Sequence, residues 1–207
     1  MNHLRQISVD WADYIRSGHL PRPLVWRALH STVYPKLRYP LPVLTMTRKE
    51  CHSISSPLLQ AALPAAGICR TFPRVLVHAP LRYQGPGLPD LYTEQGIPHI
   101  LMVLHHVHHK QDITGQLLRA SLEQLTLELG LAGNALLQDF TKFGMLTTPS
   151  WITSTWRFLS ESNITLHVNS PTFSFQREND CFLVQAFHHA GIRGQALVAA
   201  NRCHLFL

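Results

Sequence analysis

The stretch Phe72-Pro73-Arg74-Val75-Leu76-Val77-His78-Ala79-Pro80, followed by Tyr83-Gln84-Gly85-Pro86-Gly87-Leu88-Pro89-Asp90-Leu91-Tyr92-Thr93-Glu94-Gln95-Gly96-Ile97, decides how this chain is read. Prolines remove backbone donors and bias their predecessors to extended conformations, while glycines open positive φ. Residues 68 to 92 are therefore expected to be irregular or extended, with a short strand over Val75-Leu76-Val77 and a turn at Gln84-Gly85-Pro86-Gly87. Helical periodicity takes over on both sides. The expected fold class is mainly α: a multi-helix globular domain with a few short β-strands and an irregular Pro/Gly-rich central segment.

Upstream, Leu4, Ile7, Trp11, Tyr14 and Ile15 recur at helical spacing and Gly18 supplies a stop. A second helix is expected over Pro23 to Val33 through Leu24, Val25, Ala28 and Leu29, and the three prolines between Tyr34 and Pro42 should end it. Thr47-Arg48-Lys49-Glu50 fits a capping box opening a helix with Cys51, Ile54, Leu58, Leu59, Ala62 and Leu63 inward, kinked or divided at Pro57 and closed by Pro64 and Gly67. Downstream, a helix from Thr93 carries Ile97, Ile100, Leu101 and Leu104 on one face. Asp112 or Thr114 caps the next, whose stripe Leu117, Leu118, Leu122, Leu125 and Leu129 ends at Gly130. Thr148-Pro149 opens a helix with Trp151, Ile152, Thr155, Trp156 and Leu159 inward, ending near Asn163. Ile164-Thr165-Leu166-His167-Val168 alternates like a strand, and a last long helix is expected from Arg177 to Ala190, packed through Phe182, Leu183, Ala186 and Phe187 and stopped by Gly191. The aromatics Trp151, Trp156, Phe158, Phe182 and Phe187 read as core.

At 207 residues and 45% hydrophobic, the chain can bury a substantial core. Two organisations stay open: a basic helical half, 1–110, holding the Pro/Gly-rich segment, with a helical half, 111–207, or one continuous domain. Charged residues make up only 14% of the chain, against about 25% in an average soluble protein, which implies a piece that sits against something else. The charge is uneven. Residues 1–82 hold eleven Lys or Arg against Asp10, Asp13 and Glu50, a net +8, and the remainder holds seven against nine, a net −2. Such a basic half can follow a phosphate backbone, and fourteen of the eighteen cations are Arg, whose planar fork suits phosphates and base edges.

Cys51, Cys69, Cys181 and Cys203 are far apart and form no CxxC pair, so reduced, mostly buried thiols are expected. No secretory h-region and no run of about 18 apolar residues is present, which points to an intracellular chain, in nucleus or cytoplasm, with no membrane partner.

Nucleotidyl transfer by two metals needs paired carboxylates, and no two of the twelve acids are adjacent. No P-loop, HExxH, GxSxG or dinucleotide-binding glycine pattern is present, so no catalytic residue and no cofactor is assigned. His105, His106, His108 and His109 form the sharpest chemical cluster, and on a helix His105 would share a face with His108 or His109, as zinc or nickel requires. A third ligand motif is missing, and the ordinary reading is a polar end to an apolar helix, so no metal site is assigned. Arg70, Arg74 and Arg82 accompany Phe72 and Tyr83, a mixture that grips phosphates while rings stack on bases. Lys36, Arg38, Arg48 and Lys49 extend this candidate nucleic-acid surface. The competing reading makes Phe72 core and lets the arginines bridge carboxylates or helix ends.

Tyr39-Pro40-Leu41-Pro42, Thr47-Arg48-Lys49-Glu50-Cys51, Gly67-Ile68 through Phe72-Pro73-Arg74, Gln84-Gly85 through Leu91-Tyr92-Thr93, Thr114-Gly115-Gln116-Leu117-Leu118, Trp151-Ile152, Arg177-Glu178-Asn179-Asp180 and Asn201-Arg202-Cys203 occur in an order and spacing that resembles the region downstream of the palm in retroelement reverse transcriptases of non-LTR-like type. The resemblance implies a thumb- or connection-like region that helps hold template and primer, RNA or DNA, with the polymerase core as a protein partner. Palm motifs are missing and the chain stops shortly after Cys203, so the resemblance implies a truncated or decayed copy without catalysis of its own. The alternatives are a helical protein-interaction module, a nonfunctional remnant, and more distantly a metal-dependent enzyme built on the histidines.

Overall fold

The computed structural model describes residues 1–18, 20–109, 112–131, 133–167 and 181–204, the side chains of 203 and 204 excepted. They form two compact units, Met1–Pro98 and His99–Leu207. The described residues are mainly helical, and none of them forms a strand.

In the first unit, α1 (Asn2–Ser17) lies on α4 (Arg48–Ala65) through Leu4, Ser8 and Ala12, an i, i+4 row in which the small Ser8 and Ala12 allow close approach. The Ser8 hydroxyl donates to the Leu4 carbonyl at 3.1 Å, so its burial leaves nothing unsatisfied. Ile7 and Trp11 are only half-buried and Tyr14 is exposed, so the inward face is turned from the expected one toward the smaller side chains. Thr47 caps α4 as expected: its Oγ1 accepts from the Glu50 N–H at 3.3 Å and the Glu50 carboxylate accepts from the Thr47 N–H at 2.7 Å. The helix runs unbroken past Pro57.

The second helix does not end at the prolines. α2 (Arg22–Ala28) passes through a π-type turn, Leu29–Val33, into α3 (Tyr34–Arg38). There the Tyr34 N–H bonds to the Leu29 carbonyl five residues back, a widened turn that absorbs the extra residue just ahead of Pro35. Pro35 then occupies the first turn of α3, where its missing donor costs nothing.

The central segment is irregular, but Val75-Leu76-Val77 is not a strand. Arg74–Val77 is a single helical turn, α5, begun by Pro73, whose carbonyl accepts from the Leu76 and Val77 N–H groups at 3.0 and 3.3 Å. Three residues with no neighbouring strand have no ladder to join, so local turn bonds win. The segment is tied down by side chains: Trp26 Nε1 donates to the Pro86 carbonyl at 2.8 Å and Tyr34 Oη to the Pro89 carbonyl at 2.5 Å. His78 Nδ1 donates to the Leu88 carbonyl at 2.8 Å, which fixes its tautomer. Gly85 is required here, because a Cβ would lie 2.2 Å from the Ala79 carbonyl oxygen.

In α6 (Leu91–His106) the inward face is turned from the expected one: Ile97, Leu101 and Leu104 are exposed, Ile100 is half-buried against the core, and Tyr92, Gln95, His99 and Val103 are buried. Gln95 makes two bonds with the backbone of Met46, accepting from its N–H at 3.0 Å and donating to its carbonyl at 2.9 Å. His99 meets Trp151 with ring centroids 4.7 Å apart and planes inclined at 52°. The two backbone bonds of Gln95 offset the cost of burying its carboxamide.

The second unit buries one face of α7 (Ile113–Leu129), Leu118, Leu122, Leu125 and Leu129, against Trp156 and Leu159 of α9 (Trp151–Glu161), while Leu117 is exposed. Asp112 caps α7 and Gly130, at φ 58°, ends it. Ser150 rather than Pro149 begins α9, accepting from the Thr153 N–H at 3.2 Å. Before it comes α8 (Phe140–Phe143), whose Phe140 meets Trp156 edge-on, centroids 4.9 Å apart. Ile164 to His167 pair with no strand, and Val168 and Arg177-Glu178-Asn179-Asp180 lie outside the described residues. The described part of the last expected helix is α10 (Leu183–His189), which buries Val184 rather than Leu183. An unforeseen helix, α11 (Gly194–His204), follows and packs Leu197 and Val198 inward.

Replacing Gln95 by Ala strands a buried N–H and carbonyl on Met46, at about 1–3 kcal/mol each. Gln95→Ala is therefore expected to lower the urea midpoint of the first unit and to speed hydrogen exchange at the Met46 amide; unchanged exchange there would show that the pair carries no stability.

Candidate nucleic-acid interface

All seven candidate cations fall in the first unit, and the folding of the chain disperses them along it. Lys36 and Arg38 project from α3, Arg48 and Lys49 from the first turn of α4, Arg70 follows the end of α4, Arg74 begins α5, and Arg82 lies in the single 3-10 turn Leu81–Tyr83. α4 carries Lys49 in its first turn and, eleven residues on, about 16 Å along the axis at 1.5 Å per residue, the Gln60 to which Arg70 bonds. That span equals about five steps of a duplex at 3.4 Å per step, so the set suits an extended ligand rather than a single phosphate.

Two of the seven meet the same helical turn. Arg38 Nε lies 2.5 Å from a Glu94 carboxylate oxygen, and the Arg48 guanidinium sits 4.7 Å from the centre of the Tyr92 ring. Both arginines are exposed, and an ion pair with one exposed partner is worth about 0–1 kcal/mol, so Arg38 is not locked away from a ligand; the Tyr92 ring under Arg48 is buried, where a cation over a ring is worth about 2 kcal/mol, so Arg48 is the more firmly held of the two. Arg70 donates to the Gln60 carboxamide oxygen at 3.1 Å, and Lys36 and Lys49 are exposed. Arg74 differs. It is half-buried, and its Nη1 is enclosed with no hydrogen-bond partner among the described residues. A buried guanidinium nitrogen without a partner is costly, so this side chain bears on folding as well as on any surface.

The aromatic component is more exposed than the residue types imply. Tyr39 is 89% exposed beside Arg38, and Tyr83 is 68% exposed with the Arg82 guanidinium 4.7 Å above its ring. Phe72 is half-buried. Tyr39 is the residue that pattern reading passed over. Its signal is a repeated tripeptide, Leu37-Arg38-Tyr39 and Leu81-Arg82-Tyr83, which presents an adjacent cation and ring twice.

Charge follows the division into units. The first holds eleven cations against Asp10, Asp13, Glu50, Asp90 and Glu94, a net +6, and the second seven against seven, a net of zero. Net positive charge on one unit raises its encounter rate with polyanions.

The shared helical face on which a metal-ligating histidine pair would depend does not form. α6 ends at His106, so His108 and His109 leave the helix and share no helical face with His105. His106 Nδ1 lies 2.7 Å from Asp112 Oδ2, and that contact holds the Asp112 carboxyl below the usual carboxylate range. No group of three or more His, Cys, Asp or Glu side chains able to hold a metal occurs among the described residues. Gly115 packs the start of α7 onto this turn, where a Cβ would lie 2.3 Å from the His109 carbonyl oxygen.

Burial pushes the Cys51 thiol up to about 12, whereas the Cys69 thiol is exposed and lowered by its hydrogen bond with Thr71, 3.0 Å away. Cys181 is exposed as well, so the expectation of mostly buried thiols fails for the described cysteines.

No protein-family model matches the chain, and no curated protein and no solved structure matches it either.

Two outcomes follow from the charges and thiols. Asp112 has a depressed folded value, so its contribution to stability is present above the ordinary 3.8 and is lost as pH falls through the folded value. In a carboxyl-resolved NMR titration, His106→Ala should move the Asp112 midpoint upward toward 3.8; an unmoved midpoint would assign the shift to the helix cap instead. At mildly alkaline pH, iodoacetamide should modify Cys69 well before Cys51, read by peptide mass spectrometry, and equal rates would contradict the burial of Cys51.

Proposed function

We propose that the chain is a non-catalytic, thumb- or connection-like part of a retroelement reverse transcriptase and that its first unit binds nucleic acid as template and primer. The observation that carries this reading is the concentration of the whole net charge, +6, in Met1–Pro98, with exposed cations set beside exposed tyrosines at Arg38-Tyr39 and Arg82-Tyr83. Cations supply sequence-independent grip through counterion release, and rings add about 1–3 kcal/mol per stacked base. RNA or DNA is the partner, the polymerase core is the protein neighbour, and an intracellular location, nuclear or cytoplasmic, accompanies this role. No catalytic, metal or cofactor role is assigned to any residue.

The exposure of Ile97, Leu101 and Leu104 along α6 favours a second reading, a helical module that docks on another protein. A gain in stability on adding a polymerase-core protein would support it.

Anisotropy of labelled single-stranded RNA, single-stranded DNA and primed hybrid across a salt series separates the two readings. Nucleic-acid binding requires affinity that falls steeply with salt. On a single strand each lost phosphate contact makes the log–log slope shallower by about 0.7, so Lys49→Ala, Arg70→Ala and Arg82→Ala together should flatten it by up to about 2. Tyr39→Ala and Tyr83→Ala should weaken binding with the slope kept, since stacking releases no counterion. A folded triple variant with an unchanged slope would remove these cations from the surface.

A further inference from the structure

One groove of the basic unit carries an acid that the proposed role does not use. It runs between α1 and the α2–π–α3 arm, with a volume of about 320 Å³. α1 contributes Asp10, Trp11 and Tyr14, and the opposite wall contributes Thr32 and Lys36. The Trp11 ring is fixed in orientation, because its Nε1 donates to Thr32 Oγ1 at 3.1 Å and that hydroxyl donates in turn to the Ala28 carbonyl at 2.6 Å. Trp11 is half-buried and Tyr14 is 73% exposed, so two rings on one helical face border the groove with surface to offer. Asp10 accepts from Gln6 Nε2 through Oδ1 at 2.7 Å, and its Oδ2 has no partner among the described residues.

The volume is that of a small-molecule pocket and admits one nucleotide, not a duplex. Its chemistry is selective. A carboxylate close to a phosphodiester repels it, so Asp10 is tolerable in a nucleic-acid groove only where donors meet it. It is an acceptor at both oxygens and has lone pairs to spare beyond the Gln6 bond. The Watson–Crick edge of guanine presents two adjacent donors, N1–H and N2–H, to such a group. Adenine and cytosine present one donor beside an acceptor, and uracil and thymine one donor between two carbonyls. Lys36 supplies a cation to the same groove for the attached phosphate.

We propose that this groove seats an unpaired guanine of a single-stranded nucleic acid, its base against Trp11 and Tyr14, its Watson–Crick edge on Asp10 and its phosphate at Lys36. The inference rests on the nucleic-acid reading above and adds to it a base preference that dispersed cations cannot supply.

The test compares labelled oligouridylate decamers with and without one central guanine, and the corresponding oligothymidylates, by fluorescence anisotropy, with guanosine monophosphate titrated separately against tryptophan fluorescence. A single bidentate contact should make the guanine-containing strand bind roughly tenfold tighter. Asp10→Asn replaces one acceptor by a donor on an exposed side chain and should abolish that preference while leaving the salt slope unchanged; Tyr14→Ala should reduce it. Guanosine monophosphate should quench the wild type and not Asp10→Asn. Salt-dependent binding without base preference would overturn the groove assignment and leave the nucleic-acid reading standing. Failure of every oligomer to bind a folded protein would overturn that reading, and the groove assignment falls with it unless guanosine monophosphate still binds through Asp10. A preference confined to the ribo or the deoxy series identifies the strand type.

Discussion

A buried carboxamide organises the first unit. Gln95 is buried and closes a two-bond ring with the backbone of Met46, so α6 is pinned to the extended residues that lead into α4. That ring copies what a neighbouring strand would have offered Met46, and it removes the need for one. The same device recurs through the Pro/Gly-rich centre, where Trp26, Tyr34 and His78 each donate to a carbonyl that a strand partner would otherwise take. Side-chain donors thus replace ladders in a unit without strands among its described residues, and the Gln95 pair is the costliest to remove because it leaves buried groups of Met46 behind.

Local signals were legible where local bonds decide the outcome. The Thr47–Glu50 capping box, the Asp112 cap, the Gly130 stop and the Leu118–Leu129 stripe all follow from neighbours within a few residues. What pattern reading missed depends on distant partners. The face of α6 was misassigned because hydropathy favours Ile97 and Leu101, whereas Gln95 and His99 are drawn inward by Met46 and Trp151. The arm at Tyr34-Pro35 was cut short because a widened turn that admits proline leaves no mark in composition. The Val75–Val77 strand failed for want of a neighbour, and α11 was overlooked because its Ala-rich sequence carries only a short apolar pair, Leu197 and Val198.

The candidate surface was legible in kind and not in arrangement. Excess Arg and Lys before residue 83 is a property of the sequence, but only the fold reveals that Arg70 reaches back to Gln60, about three turns along α4 from Lys49, and that Arg74 turns one nitrogen inward. The repeated Leu-Arg-Tyr tripeptide shows why sequence alone falls short: Leu37 is fully buried and Leu81 is 75% exposed, yet Tyr39 and Tyr83 reach solvent in both copies. Equal words are set in unequal surroundings, and the shared outcome is an exposed ring next to a cation.

The central claim is that the first unit, and not the second, meets nucleic acid. Ultraviolet cross-linking of a bound single-stranded RNA to the whole chain, followed by peptide mapping, tests it most directly. The account predicts adducts on the peptides containing Tyr39 and Tyr83. Adducts gathered within His99–Leu207, with none before Pro98, would contradict it.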